Sequence, residues 1–133
     1  MTGSCLHILS GQYHLLVDVQ HVREVLETDG VIESHIHGCR LWRGASIAVL
    51  DLRNFLGEPD PPPPLAALVY EESETGKPVM LLFDRILGLL RCDGASFLGV
   101  PQSSGRITEY VDGITKEPAT GQLLFHLKQG VLH

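Results

Sequence analysis

The chain has 133 residues, 44% hydrophobic and 20% charged, with a formal net charge of −6. This balance describes a globular domain able to bury its own core, not a disordered segment. With 10 basic against 16 acidic residues, it lacks the surplus of cations that a general nucleic-acid binder needs to displace counterions from phosphates.

Three cysteines with no C-x-x-C pair fit reduced thiols better than a disulfide framework. No lysine or arginine precedes Arg23, so no secretory leader is expected. The longest apolar runs, Leu65–Tyr70 and Val79–Phe83, fall far short of a membrane span. These features together lead us to expect a cytoplasmic protein.

In chain order, CLHIL (5–9) and YHLLV (13–17) read as strands, and the break Ser10-Gly11-Gln12 between them predicts a hairpin. REVLE (23–27) fits a helical turn or a strand equally well. ASIAVLDL (45–52) is a strand, and LRNFLG (52–57) a brief helical turn stopped by Gly57. EPDPPPP (58–64) is a stiff extended connector; a ligand for a proline-binding groove would carry aromatic or basic neighbours. Beyond it, LAALVYEE (65–72), PVMLLFDR (78–85), ILGLLRC (86–92) and GQLLFHL (121–127) read as strands, separated by loops at 102–106 and 117–121.

An internal echo crosses the connector. LLVD (15–18), VREVLE (22–27) and RGASIAVLDLRNFL (43–56) are followed in the second half by LLFD (81–84), ILGLLRC (86–92) and TGQLLFHLKQGVL (120–132). The pattern predicts two similar small β-lobes.

Two candidate chemistries stand in SHIHGCRLWRG (34–44). On an extended strand His35, His37 and Cys39 would project to one side as metal ligands, but zinc usually takes two close pairs from two segments. Cys5 and His7 offer only an i, i+2 pair, Cys92 and His126 stand alone, and Gly38 interrupts the alternation, so no metal site is expected. The Ser, His and Asp residues show no nucleophile elbow, and no phosphate loop is present, so catalysis is not expected either. The second candidate is Trp42-Arg43. These residue types are frequent energetic anchors of protein interfaces, while a core tryptophan beside a solvated arginine fits the spacing equally well.

The chain resembles the CheW-like domain, an adaptor family of bacterial chemotaxis signalling. YHLLVDVQHVREVLE is similar to the family's Tyr-apolar-(Ile/Val)-Asp segment and the Val-x-Glu-(Val/Ile) piece after it. GCRLWRGASIAVLDLRNFLG resembles its G-V-x-N-L-R-G stretch, hydrophobic strand and D-L-R turn, with Gly38, Arg43, Gly44, Asp51, Leu52 and Arg53 in register. VMLLFDRILGLLRC, YVDGI (110–114) and QLLFHLKQGVL (122–132) match its second-half strands. Leu41 and Trp42 replace the family's Asn and Leu, the segment between Val25 and Gly38 is shortened, and His126 stands where aspartate is common.

The resemblance implies one mainly β domain over 1–133, built of two small five-stranded SH3-like barrel lobes around a shared hydrophobic core, with short helical turns. Lobe limits near 13–57 and 65–125 are expected, with the terminal segments crossing between lobes. It implies a non-catalytic adaptor, with no cofactor, that docks the regulatory domain of a CheA-type histidine kinase and the cytoplasmic tip of chemoreceptors at membrane-associated arrays. Val22, Glu24 and Val25 match the groove offered to the receptor's helical hairpin, and Arg43 a basic position associated with coupling to kinase or receptor. With Trp42 and Gly44 they make the expected partner-binding set. The alternative is a divergent module that binds a kinase or other partner without receptor coupling. An exposed strand edge also allows weak self-association.

Overall fold

The computed structural model describes residues 2–27, 39–58, 61–71, 76–93, 97–100 and 107–128. The hairpin expected at Ser10-Gly11-Gln12 is present: β1 (Thr2–Ser10) and β2 (Tyr13–Asp18) pair antiparallel down to Ser10 opposite Tyr13, leaving a two-residue turn. Gly11 sits there at φ +61°, where a side chain would be strained. After a 3-10 turn at Val19–His21, the open choice at 23–27 resolves as a strand, β3 (Val22–Glu27). β4 (Cys39–Trp42) and β5 (Ala45–Asp51) follow, then the single-turn helix α1 (Leu52–Phe55), capped by the Asp51 carboxylate accepting from the Arg53 N–H at 3.0 Å. Residues 61–64 of the connector, and Leu65 after it, are neither helix nor strand. The second half supplies β6 (Ala66–Tyr70), β7 (Val79–Phe83), β8 (Arg85–Asp93), β9 (Val111–Lys116) and β10 (Leu123–Leu127).

The ten strands form two curled five-stranded sheets, ordered β8-β1-β2-β10-β9 and β3-β6-β7-β5-β4, as the mainly β, two-lobed expectation requires. The echo corresponds to a structural repeat. When β1–β5 are matched to β6–β10, both sheets have the same strand order, and both place their one parallel pair alike: β2 with β10, and β7 with β5.

Sheet membership cuts across the two halves of the chain. The first sheet takes residues 2–18 together with 85–127, and the second takes 22–51 together with 66–83. Each half contributes two strands to one sheet and three to the other. The chain crosses between sheets only after β2 and after β7, where it carries the aspartates of LLVD and LLFD, Asp18 and Asp84.

This arrangement explains why β6 and β7 read as unbroken apolar runs. Both are buried at every position because both of their faces are covered. Leu68, Tyr70, Leu81 and Phe83 enter the core shared between the sheets, along with Leu6, Ile8, Leu15 and Val17. The intervening Ala67, Val69, Met80 and Leu82 fill the concave side of the second sheet with Ile47 and Val49. The concave side of the first sheet is thinner in apolar side chains, with Cys5, Leu16 and Leu124 buried there and Leu90, Cys92 and Phe97 packed against them.

Among the described residues, Arg53 is the largest wholly buried side chain, 1% exposed. It grips Asp51 bidentately, Nε to Oδ1 at 3.0 Å and the second terminal nitrogen to Oδ2 at 2.9 Å. Its other terminal nitrogen donates to Asp84 Oδ1 at 2.9 Å and to the Pro62 carbonyl. Burial alone would disfavour its charge, but the Asp51 and Asp84 carboxylates outweigh that and hold it protonated. One guanidinium therefore ties α1, the connector and the β7-to-β8 crossing together. Asp84 also accepts from Gly11 N–H at 2.6 Å, which brings the first hairpin into the same network.

Candidate functional site

β3 and β4 are the two end strands of the second sheet, and neither pairs with the other. The sheet curls until their side chains meet, so that Trp42 Nε1 donates to Glu24 Oε2 at 3.0 Å. The half-buried Trp42 ring packs on the Ile47 and Val49 side of the core while its edge reaches the surface. The body of Trp42 is therefore part of the core, while its N–H is spent on Glu24 at the surface.

Trp42 lies opposite Ala45, which leaves Arg43-Gly44 as a two-residue turn. Arg43 takes φ +49° and Gly44 φ +80°, the pairing of positive angles that matches the twist of a tight hairpin. For a residue with a Cβ the left-handed region costs about 1–2 kcal/mol. Part of this is offset because the turn lays the Arg43 guanidinium over the Trp42 ring, 4.6 Å from its centroid, a contact worth roughly 0.5–1 kcal/mol at an exposed site. Glu24, Trp42 and Arg43 thus form one chain of contacts across the curled edge. Leu41, 74% exposed on the outer strand, adds an apolar knob beside it.

The remaining expected residues divide. Val25 is exposed on β3 and Gly44 is exposed in the turn. Val22 is different: it packs against the core shared by the sheets and is only partly accessible. A register shift in β3 between Val22 and Glu24 breaks the alternation that would have kept them on one side. Arg23, at the shift, pairs with Glu71 at 2.8 Å.

His35 and His37 lie outside the described residues, and Cys39 begins β4 opposite Ala48. Cys5, Cys92 and His126, far apart in sequence, meet in the first sheet. A concavity of about 310 Å³ there is lined by Cys5, Asp18, Cys92, Asp112 and His126, together with Gly3, Phe97, Leu98, Gly99 and Gly113, and the Phe97 ring lies 5.5 Å from that of His126. Asp18 Oδ1 accepts from His126 Nε2 at 2.9 Å and from the Cys5 thiol at 3.5 Å, and Asp112 Oδ1 lies 2.7 Å from His126 Nδ1. A ring with carboxylates at both nitrogens favours its charged form. The Asp18 bond above all, against the opposing effect of burial, pushes His126 up to about 9, and the same bond holds Asp18 below its ordinary value. Burial, then the neighbouring Cys92, pushes the Cys5 thiol well above its ordinary value.

Two curled five-stranded sheets joined by a shared core, with a side-chain clasp across one open edge, define a small two-lobed β module. The chain belongs to the CheW-like domain family, whose family model matches residues 4–130. Its fold is similar to that of the crystal structure of scaffolding protein TtCheW from Thermoanaerobacter tengcongensis, with a TM-score of 0.76 over 96% of this chain and 90% of that one, at 19% identity. Among curated proteins, none matches it. Among the described residues, no helix is long and apolar enough to cross a membrane.

Proposed function

We propose that the protein is a docking adaptor of chemotaxis-type signalling, which holds the regulatory domain of a CheA-type histidine kinase and positions it beside the cytoplasmic tip of a chemoreceptor. Family membership supports the class of role, and the contact chain Glu24–Trp42–Arg43 supports the place. An exposed arginine stacked on a tryptophan, with the exposed Leu41 and Val25 nearby, has the composition of an interface anchor. An interface of about 600–800 Å² per partner would suit a reversible scaffold.

Arg43→Glu tests the assignment in a calorimetric titration with the kinase regulatory domain from the same genome. Affinity should fall about tenfold or more, with stability changed by less than about 1 kcal/mol because Arg43 is exposed. Equal affinity for both proteins would remove Arg43 from the docking face.

The inward packing of Val22 favours a second reading. On β3 it leaves Val25 and Glu24 outward, and Glu24 is engaged by Trp42. A module that binds a kinase without coupling it to receptors fits that reduced groove. Kinase binding with no recruitment of receptor fragments would select it.

A further inference from the structure

The repeat places two polar clusters in matching positions, and they differ in one respect. In the second sheet, Asp51 lies opposite Leu82, two residues before Asp84, and Arg53 bridges the two aspartates. In the first sheet, His126 lies opposite Leu16, two residues before Asp18. Asp18 therefore corresponds to Asp84, His126 to Asp51, and Lys128 to Arg53. Lys128 is exposed, so the guanidinium that occupies one half of the molecule has no counterpart from that position in the other. The corresponding region of the first sheet is the cavity lined by Cys5, Asp18 and His126, with glycines at Gly3, Gly99 and Gly113 forming part of its wall.

We propose that Cys5, Asp18 and His126 bind a single divalent transition-metal ion of the zinc class. Three strands, β1, β2 and β10, bring the ligands together, and their donor atoms lie within 4.8 Å of one another. Zinc bonds of about 2.3 Å to sulfur and about 2.0–2.1 Å to nitrogen or oxygen put tetrahedral S···O and N···O pairs about 3.6 and 3.4 Å apart. The thiol-to-Asp18 distance of 3.5 Å already matches, and the His126-to-Asp18 distance of 2.9 Å needs about half an ångström of opening.

The outer contacts fit as well. His126 Nδ1 faces Asp112, the carboxylate–histidine arrangement that fixes a metal-bound imidazole with Nε2 toward the ion. Cys92 lines the same cavity and packs against the cluster of Cys5, Leu16 and Leu124, which leaves its thiol as the candidate fourth ligand. A set of thiolate, imidazole and carboxylate selects zinc-class ions over magnesium or calcium.

Binding exchanges two protons for the ion, one from the Cys5 thiol and one from His126 Nε2. Two protons leave as one dication enters, so the net charge of the cluster is unchanged. The incoming dication therefore adds no uncompensated charge to a largely buried site.

The test uses the full chain without an affinity tag, equilibrated with zinc, desalted and assayed for metal and for melting temperature with and without chelator. One zinc per chain and a melting temperature raised by the metal are expected. His126→Gln and Cys5→Ser should reduce the zinc to background, while His35→Asn/His37→Asn and Cys39→Ser should retain it. Because Cys5 is buried and its variant can fail to fold, cobalt substitution of the wild-type chain gives a second reading. Thiolate-to-cobalt charge transfer and tetrahedral visible bands, both lost in His126→Gln, support the site. Absence of bound metal, or metal lost with the His35/His37 or Cys39 variants and kept by His126→Gln, overturns it.

Discussion

Replacing Arg53 by methionine lowers the stability of the fold by about 3–5 kcal/mol, the range for removing one partner of a buried ion pair. The cost arises mainly from what is left behind. Asp51 and Asp84 lose the cation that faces both of them, with Asp51 only 9% exposed, and the Pro62 carbonyl loses its donor. A domain of this kind has about 5–15 kcal/mol in total, so the variant approaches the limit of folding. Urea denaturation followed by fluorescence of the single tryptophan measures the loss. A loss below about 1 kcal/mol would mean that Arg53 does not pin the crossing. Arg53→Lys should recover only part of the stability, because a single ammonium cannot reproduce the bidentate grip on Asp51 while holding Asp84 and Pro62.

Phe83→Ala should cost a comparable amount, about 3–5 kcal/mol, for a different reason. Phe83 is fully buried in the core shared by the sheets, at the last position of β7 before the chain crosses over. Both sheets contribute to its surroundings, so neither can collapse onto the space without moving relative to the other. The cost then combines lost transfer energy with an unfilled cavity. The same denaturation measures it, with Leu41→Ala as the contrast: Leu41 is 74% exposed, and its truncation should change stability by no more than about 0.5 kcal/mol. A small loss for Phe83→Ala would place the main stabilising contacts elsewhere than between the sheets.

The unbroken runs AALVY and VMLLF mark strands covered on both faces, and the turn at Ser10-Gly11-Gln12 follows from the need for a positive φ at Gly11. The echo across the connector marks the repeat. It does not record which half each strand pairs with, because matching segments carry matching patterns and the crossings lie in the packing. β4 carries no pattern of its own because four residues, ending in a turn without the usual Asn-Gly or Asp-Gly, give too short a period. Arginine is almost never fully buried unless paired, and Asp84, one of the partners that make Arg53 an exception, is 31 residues away. His126 and Asp18 are separated by 108 residues, so their meeting depends wholly on the parallel pairing of β10 with β2. In the candidate docking face, Trp42, Arg43 and Glu24 were legible as residues. That Val22 turns inward was not, since the register shift beside it has no signature in VREVLE.

We propose that the kinase docks at the Trp42-Arg43 turn on the curled edge between β3 and β4. The most direct measurement is amide hydrogen exchange of the full chain, alone and saturated with the kinase regulatory domain. Docking at this turn predicts slowed exchange concentrated in residues 39–46, with the strands of the first sheet little changed. Protection confined to the first sheet, or no complex at high concentration, would contradict the assignment.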